Sequence, residues 1–197
     1  MKLKHVEIII GAEPFASSSQ WAQSRAQIEE AIAKVVWPPG ADKFVLHPDI
    51  GRGRGEANGV APIKTAFLTR LSALGWMTDE RHNPLRFDAF RPMPSGPGIG
   101  LEWETGNISS SHRSINRILR GHLEGVLVAG VLVLPTRKLY RYLTDRVGNY
   151  EELQPYFPLW RRYPWADGVL AVFAVEHDGT DPGVPRIAKG TNGRAQG

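Results

Sequence analysis

Residues 88–107 read DAFRPMPSGPGIGLEWETGN, and this stretch decides the fold prediction. From Leu101 to Glu104 apolar and acidic residues alternate, which is the period of a half-buried β-strand. Glu102 and Glu104 then project from one face, roughly 6–7 Å apart along the strand. Asp88 precedes them on a second predicted strand, and two strands joined by such a Pro/Gly-rich connection can pair antiparallel. The sequence therefore predicts three converging carboxylates, a hard-oxygen site suited to Mg²⁺.

The composition is that of an ordinary globular protein. Of the 197 residues, 42% are hydrophobic and 22% are charged. The chain has no cysteine, which excludes a disulfide framework, a cysteine nucleophile and thiolate zinc sites. The N-terminal segment lacks the apolar run of a signal peptide, and the longest apolar run, 126–134, is too short to cross a bilayer. We expect one cytoplasmic domain over residues 1–197, without membrane association.

The positive charge is unevenly distributed along the chain. Residues 1–106 contain 12 Lys/Arg and 12 Asp/Glu, whereas residues 107–197 contain 12 Lys/Arg and 8 Asp/Glu, so the net charge of +4 follows the acidic stretch. Arginine predominates there, and its planar fork suits bidentate contact with phosphate. Nucleic-acid binding and an ordinary solvated basic surface are both compatible with this pattern.

Around the acidic stretch, hydrophobic periodicity predicts alternating helices and strands. The predicted strands cover residues 6–10, 85–90, 99–105, 126–134 and 168–175. The predicted helices cover residues 20–36, 62–74 and 111–124, with a broken helical segment over 140–157. From about residue 179 to residue 197 the Gly/Pro-rich, basic sequence predicts a loose tail. The predicted fold class is α/β, with a mixed central β-sheet flanked by helices.

Other interpretations of these motifs stay open from the residues alone. Paired carboxylates also serve glycoside hydrolysis, and a Glu-x-Glu pair on an edge strand can simply face solvent. The glycine-rich residues 51–59 lack the Lys-Ser/Thr end of a phosphate-binding P-loop. They fit a surface loop, or a mobile arm that orders on DNA with Arg52 and Arg54 on phosphates.

The order and spacing of the motifs resemble a known nuclease family. Asp88, thirteen intervening residues and then Glu102-Trp103-Glu104, on a strand–loop–strand followed by a helix, resemble the PD-(D/E)xK nuclease core. Within it, the chain looks like the BglII/BamHI branch of type II restriction endonucleases, and the likeness extends over most of its length. The general pattern ends in Lys where this chain has Glu104, and that branch is similar in having Glu or Gln there.

The resemblance implies Mg²⁺-dependent hydrolysis of phosphodiester bonds at specific sites in double-stranded DNA, with Mn²⁺ as a substitute. Asp88 and Glu102 would bind metal, with the backbone carbonyl of Trp103 as an extra ligand. Glu104 would orient or deprotonate the attacking water and would also contact a metal. An upstream acid or amide often joins such sites, and Glu80 and Asn83 are both candidates.

The resemblance also implies how DNA is bound. Recognition loops are expected after the Glu-x-Glu strand, after the apolar strand and near the C-terminus. The candidate base or phosphate contacts are Asn107, Ser109, His112, Arg113, Arg137 and Lys138. Each of these residues also fits an ordinary capping or surface role.

The resemblance further implies a homodimer acting on a palindromic site, with residues 111–124 and 140–157 at the interface. A cognate DNA methyltransferase is expected in the same system, because the host DNA must be protected from cleavage. The alternatives are a DNA-binding protein of the same fold that does not cut, and a structure-specific nuclease of repair or recombination.

Overall fold

The computed structural model describes residues 1–49, 57–79, 81, 84–144 and 147–189. The strands are β1 (Lys2–Ala12), β2 (Val45–Leu46), β3 (Ala89–Arg91), β4 (Gly98–Trp103), β5 (Leu127–Pro135), β6 (Gly168–Glu176) and β7 (Gly179–Thr180). The α-helices are α1 (Ser19–Ala33), α2 (Ala61–Ala73), α3 (Ile108–Leu123), α4 (Arg137–Tyr140), α5 (Tyr150–Leu153) and α6 (Phe157–Trp160). Within these ranges, none of the helices combines the length and apolar character needed to span a membrane.

The main sheet is mixed and has the strand order β1-β6-β5-β4-β3. Strand β5 pairs parallel with β4 and with β6, whereas the outer strands β1 and β3 pair antiparallel. Nearly every residue of β5 and β6 is buried, because α1 and α2 cover one face of the sheet and α3, α5 and α6 cover the other. The predicted fold class is confirmed, as is the antiparallel pairing of the strands that flank the Pro/Gly-rich connection.

Helix α3 is held directly against strand β5. Its buried residues recur at spacings of three and four and include Ile115 and Ile118. A Cβ atom at Gly130 of β5 would lie 2.0 Å from Cγ2 of Ile118, so the close approach of helix and sheet depends on glycine there. The helix begins at Ile108, earlier than predicted, because the Asn107 side chain accepts the Ser110 N–H and caps it.

The predicted strand over residues 85–90 is wrong in its first half. Leu85 and Arg86 have φ values of 56° and 55°, so the chain makes a left-handed turn that no strand can contain. Strand β3 begins only at Ala89, and Asp88 lies immediately before it.

The segment after β5, where a recognition loop is expected, begins with the short helix α4, which the Thr136 side chain caps by accepting the Leu139 N–H.

The loose tail expected from residue 179 is also wrong, up to residue 189. Strand β7 pairs with β2, and Ile187 is buried in the core beneath α1 and α2. The Ile187 N–H donates to Asn58 Oδ1, and the Ile187 carbonyl accepts the Gly59 N–H. The Gly/Pro-rich composition correctly predicted an irregular backbone path. Composition could not predict that one residue, Ile187, is buried and fixes this segment. Residues 190–197 lie outside the described residues.

We predict that Gly130→Ala lowers the free energy of unfolding by about 1–3 kcal/mol, because Ile118 must move away from the added methyl group. Urea unfolding measures this change. Gly179→Ala is the matched control, since a Cβ atom there meets nothing within 4 Å. Ile118→Ala removes the clashing Cγ2 atom, so Gly130→Ala should cost less stability in the Ile118→Ala background than in the parent. Equal stabilities of Gly130→Ala and the parent would contradict this account of the helix–sheet contact.

Candidate active site

The carboxylates predicted from the sequence line one polar cavity of about 370 Å³. Asp88 comes from the start of β3, Glu102 from β4 and Glu104 from just beyond β4. The remaining polar wall consists of basic side chains and serines from α2 and α3, namely Lys64, Ser110, Arg113, Ser114 and Arg117. The cavity therefore combines buried acids with a basic rim.

Asp88 is fixed by the backbone of the neighbouring strand. Pairing of Ala89 with Leu101 brings Asp88 beside β4, where its Oδ2 accepts the Trp103 N–H at 2.8 Å. Its Oδ1 accepts Lys64 Nζ at 2.5 Å. Asp88 is only 4% exposed, and both of its carboxylate oxygens accept hydrogen bonds from protein groups, as buried polar atoms usually do.

Glu102 is equally buried, with 4% exposure, and its Oε1 accepts a guanidinium N–H of Arg117 at 2.7 Å. The same guanidinium nitrogen of Arg117 donates to the Arg86 carbonyl at 3.2 Å, which ties α3 to the left-handed turn. Burial, followed by the negative charge of Asp88, raises the pKa of Glu102 to about 8 against the opposing effect of Arg117 and Lys64. Three cations, Lys64, Arg113 and Arg117, match the three acids of the cavity in number. Burial and the closeness of Asp88, and not an excess of acids, therefore disfavour the charged form of Glu102.

Glu104 is oriented by the loop and the helix that follow it. Its Oε1 accepts the Gly106 N–H at 2.6 Å, and its Oε2 accepts the Ser114 hydroxyl at 3.2 Å. The intervening Trp103 ring packs in the core against Phe67, with ring centroids 4.5 Å apart. The predicted alternation of acidic and apolar side chains is thus present in the folded chain.

The carboxylates are not assembled into a ready-made metal cluster. No group of three or more His, Cys, Asp or Glu side chains in the described ranges is arranged to hold a metal ion. The expected convergence is incomplete because Asp88 and Glu102 each hold a cationic side chain and Glu104 holds donors of its own. The donor chemistry nevertheless fits a divalent cation, since buried, mutually repelling carboxylates are the hard ligands that Mg²⁺ prefers.

The candidate DNA contacts after β4 lie along the start of α3. Asn107 and Ser109 are exposed, although the Asn107 side chain also caps the helix. Arg113 is exposed at the cavity wall and donates to Ser110 Oγ at 2.7 Å. His112 instead packs edge-on against the rings of Tyr156 and Trp160, away from the carboxylates.

Arg137 and Lys138 lie in α4, directly after β5. Because β4 and β5 are parallel, α4 and the start of α3 lie at the same edge of the sheet. Arg137 is exposed, and Lys138 pairs with Glu176 at 2.9 Å. The predictions for Arg52, Arg54, Glu80 and Asn83 lie outside the described residues.

Sequence reasoning did not assign Lys64, Ser114 or Arg117 to the site. Arg117 belongs to the arginine-rich helix after the acidic stretch, so its region was identified but not its contact. Lys64 carries no local signal, because it lies in α2 and only the fold brings it to Asp88.

Comparison with known proteins identifies the family. Residues 1–194 match the family model described as restriction endonuclease BamHI. The chain belongs to the BamHI family of restriction endonucleases. It is 44% identical over 203 aligned residues to the type II restriction enzyme OkrAI of Oceanobacter kriegii, with 99% of each chain covered. It is 32% identical over 189 residues to the type II restriction enzyme BamHI of Bacillus amyloliquefaciens, with 88% of this chain and 83% of the relative covered.

Solved structures support the same fold. BglII complexed with a DNA 16-mer has a TM-score of 0.59 at 12% identity, over 90% of this chain and 79% of that one. Free BglII has a TM-score of 0.54 at 11% identity, over 89% of this chain and 81% of that one. Together with the membership of the BamHI family, these similarities confirm the predicted branch and the enzyme class, a site-specific deoxyribonuclease.

We predict that Glu102→Gln stabilises the metal-free protein at alkaline pH. A glutamate whose pKa rises from 4.5 to about 8 on folding contributes full stability at acid pH and loses it as pH increases from 4.5 to about 8. In EDTA, the melting temperature of Glu102→Gln should exceed that of the parent by roughly 4–8 °C near pH 9, and the difference should disappear near pH 5.

Glu29→Gln is the control for this pH series, because Glu29 is partly exposed on α1 and pairs with Arg25 of the same helix. Its melting temperature should follow the parent across the whole range. A Glu102→Gln protein that melts like the parent at every pH would show that the glutamate carries no buried charge.

Proposed function

We propose that this chain hydrolyses double-stranded DNA at a specific palindromic site as a Mg²⁺-dependent homodimer in which Asp88, Glu102 and Glu104 form the catalytic set. The observation that carries the proposal is the pair of 4%-exposed carboxylates, Asp88 and Glu102, in a cavity with a basic rim. Buried acids suit a small hard cation, and exposed arginines beside them suit the phosphates of a polyanion. A second function is not favoured by any feature of this cavity.

Each acid has a distinct role in this proposal. Asp88 and Glu102 would hold the cation, together with the Trp103 carbonyl, and Mn²⁺ would substitute for Mg²⁺. When bound, the cation supplies positive charge that stabilises the phosphate undergoing attack and makes the attacking water more acidic. Glu104, oriented by Gly106 and Ser114, would position that water and accept its proton.

The start of α3 would form the DNA surface next to the acids. Arg113 and Arg117 line the cavity, and the N-terminus of this 16-residue helix adds favourable backbone dipoles for phosphate. Asn107 and Ser109 are exposed there and suit base contacts in the major groove. Arg137 and Lys138 at the end of β5 would extend this surface along the same edge of the sheet.

A dimer would place one such site on each DNA strand. Two large apolar side chains on the helical layer that contains α3 and α6 are strongly exposed, Leu123 by 72% and Leu159 by 66%. A contiguous apolar patch that includes these leucines would suit a self-association surface. Since the enzyme would also cut unprotected host DNA, a cognate methyltransferase is expected in the same system.

Cleavage of DNA tests the catalytic proposal. Incubated with unmethylated phage DNA and Mg²⁺, the parent protein should produce discrete fragments with a constant end sequence, and none in EDTA. Glu102→Ala should lower the cleavage rate at least about 100-fold, because a buried ligand for the cation is lost. Fragment ends are mapped by sequencing.

Glu29→Ala on α1 is the matched control and should cut like the parent. Parent-like bands from Glu102→Ala would disprove the assignment of the catalytic acids. A parent protein that shifts DNA on a gel in Mg²⁺ without cutting it would disprove the proposed reaction itself.

The dimer makes a separate prediction. Leu123→Lys should shift the protein from dimer towards monomer in analytical ultracentrifugation at micromolar concentration, because it places a charge in the proposed interface. Ile8→Lys is the control, since Ile8 is 37% exposed on the edge strand β1, outside that interface. Identical sedimentation of the parent and Leu123→Lys would remove α3 from the interface.

A further inference from the structure

Among the described residues that line the acidic cavity, Lys64 is the one lysine, and it reaches the cavity from the opposite side to the arginines. Helix α2 packs on one face of the sheet and α3 on the other. The two buried acids are therefore neutralised from two different layers, Asp88 by Lys64 and Glu102 by Arg117. The side chain of Lys64 can therefore move without displacing that of Arg117, because the two residues belong to helices on opposite faces of the sheet.

The two oxygens of Asp88 have unequal partners. Oδ2 accepts the Trp103 N–H, which cannot move away because Trp103 belongs to β4 and pairs with Val133 of β5. Among the described residues, the partner of Oδ1 is Lys64 Nζ, the end of a flexible side chain that is 34% exposed. A cation that approaches Asp88 at Oδ1 therefore competes with the ammonium of Lys64 for that oxygen.

The position of Lys64 in its helix is electrostatically unfavourable without Asp88. Lys64 lies in the first turn of α2, where its N–H donates to the carbonyl of Val60, the N-cap residue. The positive end of the helix dipole repels an ammonium at that position. A cationic residue at the positive end of a helix goes against the usual electrostatic preference, and such exceptions are more often found at functional sites.

The start of α2 is also firmly anchored. Asn58 is fully buried, and its Nδ2 donates to the carbonyls of His47 and Tyr142 at 3.1 and 2.9 Å. Its Oδ1 accepts the Ile187 N–H at 3.1 Å, so every polar atom of the side chain is used. Lys64 thus extends from a rigid base, and only its side chain has to move.

We propose that Lys64 is a positioning residue of this active site: its ammonium holds Asp88 in the metal-free protein, a divalent cation displaces it from Oδ1, and the displaced ammonium contacts DNA phosphate. The inference rests on the proposed role of Asp88 as a metal ligand. It also explains how the site obtains a lysine although residue 104, where the general nuclease pattern has Lys, is Glu in this chain. Lys64 of α2 would supply that positive charge.

Metal binding by the free protein tests the first half of this inference. Mn²⁺ is titrated into the DNA-free protein, and the unbound ion is counted by its electron paramagnetic resonance signal. Lys64→Met should bind Mn²⁺ about tenfold more tightly than the parent, because the competing charge has been removed. Lys64→Arg, which keeps the charge, should retain parent-like affinity. A purely structural role of Lys64 would not raise the affinity.

Cleavage at saturating Mg²⁺ tests the second half. Lys64→Met should cut at least about tenfold more slowly than the parent under single-turnover conditions, since one positive charge near the phosphate is lost. Arg70→Met is the matched control, because Arg70 lies on the same helix but pairs with Glu30 of α1. It should change neither the Mn²⁺ affinity nor the cleavage rate.

The outcomes separate this inference from the proposed function. If Asp88→Asn loses Mn²⁺ binding and cleavage while Lys64→Met leaves both unchanged, only the role of Lys64 is overturned. If Asp88→Asn keeps both activities, the proposed catalytic set fails. Tighter Mn²⁺ binding with an undiminished cleavage rate would overturn the phosphate contact. A Lys64→Met protein with a lowered melting temperature is replaced by Lys64→Gln in the same assays.

Discussion

The hydrogen bond from the Trp103 N–H to Asp88 Oδ2 is the constraint on which the site depends. It ties the end of the left-handed turn to the strand that carries Glu102, so a backbone group of β4 positions Asp88. Strand β4 is in turn held by β3 on one side and by β5 on the other. A change in the register of the β3–β4 pairing would separate Asp88 from Glu102.

Charge balance is the second constraint. Burying two carboxylates is unfavourable unless cations or hydrogen bonds compensate for the lost hydration. Lys64 and Arg117 compensate in part, yet burial and the charge of Asp88 still raise the pKa of Glu102 to about 8. The charged form of Glu102 is therefore disfavoured in the metal-free fold, which is typical of functional sites where a bound cation stabilises that charge.

The sequence predicted what depends on local pattern. The period of two in residues 101–104 identified Glu102 and Glu104. The Pro/Gly-rich connection indicated that the chain reverses direction, so that the two strands pair antiparallel and Asp88 lies beside β4. It did not predict the turn at Leu85 and Arg86, because neither residue is a glycine and left-handed backbone is uncommon elsewhere. Contacts such as that of Lys64, 24 residues before Asp88, exist only after α2 has packed on the sheet.

The same distinction explains why residues 179–189 are ordered despite their composition. Their path is fixed by Ile187, which is buried, and by the fully satisfied side chain of Asn58. Asn58 also accepts the Thr144 N–H through its carbonyl and donates to Tyr142, so one residue joins the start of α2 to two distant segments. A buried amide left unpaired is costly, so moving any of these segments away from Asn58 would lower the stability of the fold. The helix that presents Lys64 to the acids is thereby positioned by the chain beyond β6 as well as by the sheet.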